Sequence, residues 1–126
     1  MIKINIITYN NNYGLTNDFN ILKSSLLDIL GDSISINFVN FFDYKIPEAD
    51  INIFLEIVSN ILINPKSINI LIPNQEWFYR NWLPYLNKLD YIWCKTKYIS
   101  TIFKNYVDKS SKIEHIGWCS RDMYLS

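Results

Sequence analysis

Apolar positions along this chain fall into short runs separated by polar, turn-rich clusters. Residues 2–7, Ile-Lys-Ile-Asn-Ile-Ile, form a β-branched run and predict a strand ending in the turn cluster 9–14. Helical spacing follows. Leu15, Phe19, Leu22, Leu26, Ile29 and Leu30 share one face, with Thr16 or Asn17 as N-cap and Asp18 in the first turn. Gly31 stands where a left-handed C-terminal cap is wanted. Ile34, Ile36 and Phe38 alternate within 33–39 and predict a second strand. Residues 41–49, with Pro47, read as a loop, and 50–55 as a third strand.

A short helix is expected from Glu56 to about Ile63, stopped by Pro65. The fourth strand is 68–72, ended by Pro73. A turn and a helical stretch come next, with Pro84 in a first helical turn. The fifth strand is 91–94. Thr96 then caps a helix whose face is Ile99, Ile102, Phe103, Tyr106 and Val107. Residues 112–116 make the sixth strand and 117–126 a tail.

Strands and helices thus alternate throughout, and the strands are nearly continuous apolar runs, as when both faces are covered. The expected fold is α/β: a doubly wound, mostly parallel six-stranded sheet with helices on both faces, Rossmann-like. Its 126 residues fit one domain, 1–126, with no repeat or linker. Ligands of such sheets bind outside the carboxyl ends of the strands. The segments there are 8–14, 41–44, 56–59, 73–77, 95–96 and 117–122.

Composition narrows the chemistry. Twelve basic residues balance twelve acidic ones, and the lysines are scattered. A nucleic-acid or polybasic membrane binder needs a clustered positive excess, so neither is expected. No apolar run approaches the roughly 20 residues that span a bilayer, and residues 1–8 are too short for a signal peptide. Cys94 and Cys119 cannot build a disulfide framework, and both read as buried apolar thiols. A cytoplasmic setting follows, the host cytoplasm if the source is viral. No zinc spacing occurs, and no metal or cofactor is expected. Ile and Asn are abundant, which reads as the product of an AT-rich genome.

The first loop holds one glycine, Gly14, where a dinucleotide site wants Gly-x-Gly-x-x-Gly, and no phosphate-binding loop occurs elsewhere. Gly14 either exposes backbone N–H groups to an anion or sugar hydroxyl, or simply makes the turn. Pro73-Asn74-Gln75-Glu76-Trp77-Phe78 is the densest polar–aromatic segment. Its amides and carboxylate suit a hydroxyl-rich ligand, its indole can stack on a sugar, and Glu76 can deprotonate an acceptor hydroxyl. The competing reading makes Glu76 a helix cap and Trp77 and Phe78 core. Arg121 and Asp122 either pair with each other or face a ligand. His115, the lone histidine, reads as a strand residue. No Ser-His-Asp arrangement can be argued.

Several ordered segments resemble the N-terminal domain of GT-B-fold glycosyltransferases. They are Tyr13-Gly14 and Asn17-Asp18 after the first strand, Asp50 to Glu56, and Ile72-Pro73-Asn74-Gln75-Glu76-Trp77-Phe78. Asp90-Tyr91-Ile92-Trp93-Cys94-Lys95-Thr96 and Ile116-Gly117-Trp118-Cys119-Ser120-Arg121-Asp122 complete the set. Pro-Asn-x-Glu-Trp followed by Cys-Lys-Thr is the most specific part. Together they cover nearly the whole chain.

The resemblance implies an acceptor-side half, with the donor-binding C-terminal domain absent from these residues. Sugar would move from a nucleotide sugar to a sugar or glycan acceptor, with Glu76 the catalytic candidate. Tyr13, Gly14, Asn74, Gln75, Trp77, Lys95 and Arg121 would hold the acceptor. A separate donor-domain protein or a homodimer is the implied partner. One half of a cleft cannot position two substrates, so activity alone is not expected. The alternative is a non-catalytic protein-interaction module on the same fold. A response-regulator-like domain would want an acidic pocket. Glu56 occupies the required place after the third strand, without an acidic pair after the first.

Overall fold

The β-branched runs do become strands. A computed structural model describes residues 1–8, 14–42, 46–59, 61–73, 80–109 and 112–116, without the side chains of 14–18 and 80–81. The strands are β1 (Ile2–Thr8), β2 (Ile34–Asn40), β3 (Ile51–Leu55), β4 (Ile68–Ile72), β5 (Tyr91–Cys94) and β6 (Ile113–His115). All pair in parallel, in the order β2-β1-β3-β4-β5-β6, so the fold is Rossmann-like α/β. The order reverses between β1 and β3. There the chain leaves β1 toward β2, then crosses back, which makes a topological switch point.

Helix α1 (Gly14–Leu30) links β1 to β2, and α2 (Lys97–Phe103) links β5 to β6. A 3-10 helix, Arg80–Lys88, precedes β5. Successive strand side chains point to opposite faces. Ile4, Ile6, Ile53, Leu55, Ile70 and Ile72 therefore share one core cluster with Leu22 of α1. Ile7, Phe54, Leu71, Ile92 and Cys94 share the other with Leu86, Ile99 and Phe103.

Helix boundaries depart from expectation in four places. α1 begins at Gly14, so Thr16 and Asn17 lie inside it and are not its N-cap. Ile29 and Leu30 are exposed, and the buried stripe closes at Leu22 and Leu26. Among the described residues of 56–63 no helix forms. Glu56 takes φ 66°, Ile57 and Val58 follow without helical structure, and both of those side chains go into core. β-branched residues adopt helix reluctantly, and burial of these two decides against it. α2 stops at Phe103, leaving Tyr106 half-exposed. Pro84 sits inside the 3-10 helix and not in a first α-helical turn.

Two caps form as expected. Thr96 Oγ1 accepts the Ile99 N–H at 3.2 Å. Gly31 takes φ +57°, the left-handed conformation that spares a glycine the usual steric penalty.

The amino half of the sheet carries a buried polar row. Asn5, Asn52 and Asn69 lie opposite one another on β1, β3 and β4, with Asn37 of β2 opposite Asn5. The first three are fully buried. Buried amides are costly unless bonded, and these bond in series. Asn5 Nδ2 donates to the Pro47 carbonyl at 2.7 Å and to Asn52 Oδ1 at 3.1 Å. Asn52 Nδ2 donates to Asn69 Oδ1 at 3.4 Å, and Asn69 Nδ2 donates to the Asn64 and Ser67 carbonyls.

Candidate functional site at the carboxyl edge

Parallel pairing brings Thr8, Asn40, Leu55, Ile72, Cys94 and His115 to one edge of the sheet. Just beyond the switch point the buried Thr8 hydroxyl donates to the Leu55 carbonyl at 3.2 Å. The next residue is Glu56. It is the one non-glycine residue at positive φ among the described residues. An L-residue pays on the order of 1 kcal/mol for that conformation. Two bonds hold it. Its N–H donates to the Ile72 carbonyl at 2.7 Å, and its carboxylate Oε1 receives the Lys95 ammonium at 2.9 Å.

The pair lies largely out of solvent, with side-chain exposures of 8% for Glu56 and 16% for Lys95. β3 supplies the acid and β5 the base, so the ion pair spans the end of β4 between them. A carboxylate and an ammonium held together at a strand edge can accept from and donate to a hydroxyl-bearing ligand. Oε2 is the carboxylate's second acceptor. Strained backbone at such a position is a recognised mark of function.

Cys94 ends β5 beside this pair and is fully buried. Burial pushes its thiol from about 9.0 up to about 11, partly offset by the charge of Lys104. It is a core thiol and not a nucleophile. His115 is an exposed residue of β6 opposite Cys94. Among the described residues no group of three or more His, Cys, Asp and Glu side chains is placed to hold a metal ion.

Of the residues singled out in the sequence, Lys95 stands at the carboxyl edge and Gly14 opens α1. Tyr13, Asn74, Gln75, Glu76, Trp77 and Arg121 lie outside the described residues. Glu56 is the member that sequence reading left out of the site. Its signal was a lone acid directly after the apolar run Ile51–Leu55.

Concavities occur at the opposite end of the sheet. One of about 470 Å³ is lined by Met1, Lys3, Asp50, Lys66 and Ser67 among others, and one of about 210 Å³ by Pro47, Asn52 and the 61–65 segment. Some of their polar groups are engaged within the protein. Asp50 Oδ2 accepts the Lys3 N–H at 2.8 Å, and the Ser67 hydroxyl donates to the Ala49 carbonyl at 2.6 Å.

No family model, no curated protein and no solved structure matches this chain. Among the described residues no helix is long and apolar enough to cross a membrane.

Proposed function

We propose that the chain is the acceptor-binding half of a glycosyltransferase that takes sugar from a nucleotide sugar and is inactive without a donor domain. The observation that carries this reading is the Glu56–Lys95 pair at the carboxyl edge, next to a topological switch point. Lys95 belongs to the Cys-Lys-Thr segment of the resemblance, and Glu56 closes the Asp50-to-Glu56 segment. Two separate parts of the similarity thus meet in one ion pair. The carboxylate and ammonium orient acceptor hydroxyls, and Glu76 acts as base toward the hydroxyl that attacks the donor sugar.

Calorimetry with a panel of sugars and nucleotide sugars tests it. The account expects heat from one or more sugars, none from nucleotide sugars, and at least tenfold weaker sugar binding in Glu56→Gln. Binding of a nucleotide sugar without any sugar sinks the acceptor assignment. With a donor domain supplied, Glu76→Gln should lose turnover while KM for the acceptor holds. Unchanged turnover would remove Glu76 from the chemistry.

A further inference from the structure

The two lateral edges of the sheet are built differently. β6 is three residues long and carries Glu114, with Lys112 just before it. Short, charged edges resist pairing with other chains. β2 is seven residues long, Ile-Ser-Ile-Asn-Phe-Val-Asn, without charge, proline or glycine. It runs in unbroken register with β1 from Ile34 to Asn40, so no bulge twists it away. Among the described residues it is paired on one side only.

The direction of its free groups can be read from one bond. The Phe41 N–H donates to the Thr8 carbonyl of β1 at 2.7 Å. Backbone groups alternate sides along a strand. The N–H and C=O groups of Ile34, Ile36, Phe38 and Asn40 therefore face away from β1. Phe38 is 43% exposed and meets Phe19 edge to face at 5.1 Å between ring centroids.

We propose that β2 pairs antiparallel with β2 of a second copy, across a twofold axis at Asn37, joining two sheets into one. Only this register pairs the whole strand with itself. Ile36 then lies opposite Phe38 and Ile34 opposite Asn40, and each pair exchanges both of its outward N–H and C=O groups. Ile36 and Phe38 share the α1 face, where a β-branched residue against an aromatic ring stabilises a cross-strand pair. Asn37 meets its own counterpart at the non-hydrogen-bonded position, where Cα atoms approach to about 4.5 Å. No charge on the strand opposes the pairing. The inference is independent of the glycosyltransferase reading.

Sedimentation velocity on the full chain is the test, with Phe38→Lys and, at the other edge, His115→Lys. The expected result is twice the chain mass for the unmodified protein and His115→Lys, and a folded monomer for Phe38→Lys. Register is read separately in a Cys119→Ser background. On oxidation, Asn37→Cys should form a covalent dimer, and Ser35→Cys, which faces Val39 and not itself, should not. That readout stands even if Phe38→Lys fails to fold. A monomer at the highest soluble concentration overturns the proposal, as does a dimer that survives in folded Phe38→Lys. Equal crosslinking of both cysteine variants overturns the register.

Discussion

The two ends of the strands use polar residues in opposite ways. At the amino end, side chains and backbone bond to one another, with Asn5 Oδ1 the buried exception among the described residues. Asp50 takes the Lys3 N–H, Asp90 takes the Asn69 N–H at 2.8 Å, and the asparagines bond in series. At the carboxyl end, a carboxylate sits on strained backbone and is held by one lysine. This network, in which Asn5 Oδ1 alone among the described buried side-chain atoms lacks a partner, specifies register and stability. The ion pair on positive-φ backbone is the feature on which the proposed ligand site rests. Polar content does not separate the two ends; the backbone does, since the asparagines sit on regular strands and Glu56 sits at positive φ.

Substitutions can break this contrast, and the largest effect belongs to the amino end. Asn69→Ala removes two donations to carbonyls and leaves the Asn64 N–H and the Asn52 amide without their acceptor. We expect a loss of about 3 kcal/mol in urea unfolding. Sugar affinity of the folded fraction should stay unchanged.

The ion pair comes next. Lys95→Met should cost about 2 kcal/mol, below the range for a fully buried pair because Lys95 retains some exposure. Adding Glu56→Gln should recover part of it, since the second change removes the stranded charge. In the Lys95→Met background, Glu56→Gly should be about 1 kcal/mol more stable than Glu56→Gln, because glycine relieves the positive φ. An equal or lower stability for the glycine variant would show that no strain is stored there.

Cys94 gives a pH test of similar size. Its thiol is pushed up to about 11 in the fold, against about 9.0 when unfolded. Between these values the unfolded chain gives up the proton and the folded chain keeps it. Stability is therefore fully present below pH 9 and should fall by on the order of 2 kcal/mol as pH rises toward 11. Cys94→Ala should flatten that slope. The smallest effect is expected from Thr8→Val, about 1 kcal/mol, through loss of the bond to Leu55.

Much of the fold was legible because β-branched runs and capping residues are local signals. The six strands follow from the first, and Thr96 and Gly31 from the second. What escaped depends on contacts between distant residues. The 56–63 segment has helical spacing, but Ile57 and Val58 are drawn into the core, and that is a tertiary effect. The asparagines were read as a trace of genome composition. In fact Ile4-Asn5-Ile6, Ile51-Asn52-Ile53 and Ile68-Asn69-Ile70 repeat one pattern, and register converts it into a buried row. Lys95 was placed in the site and Glu56 was weighed only as a response-regulator acid, because a salt bridge between the ends of β3 and β5 cannot be seen before the strand order is known.

The account stands most directly on where a ligand binds. Titrating the ¹⁵N-labelled chain with the tightest sugar of the panel, and following amide shifts by NMR, locates it. Shifts should centre on Glu56, Lys95 and Gly14, with Asn5, Asn52 and Asn69 unmoved. Shifts centred on Lys3, Asp50 and Lys66 instead would place the site at the amino end and contradict the account.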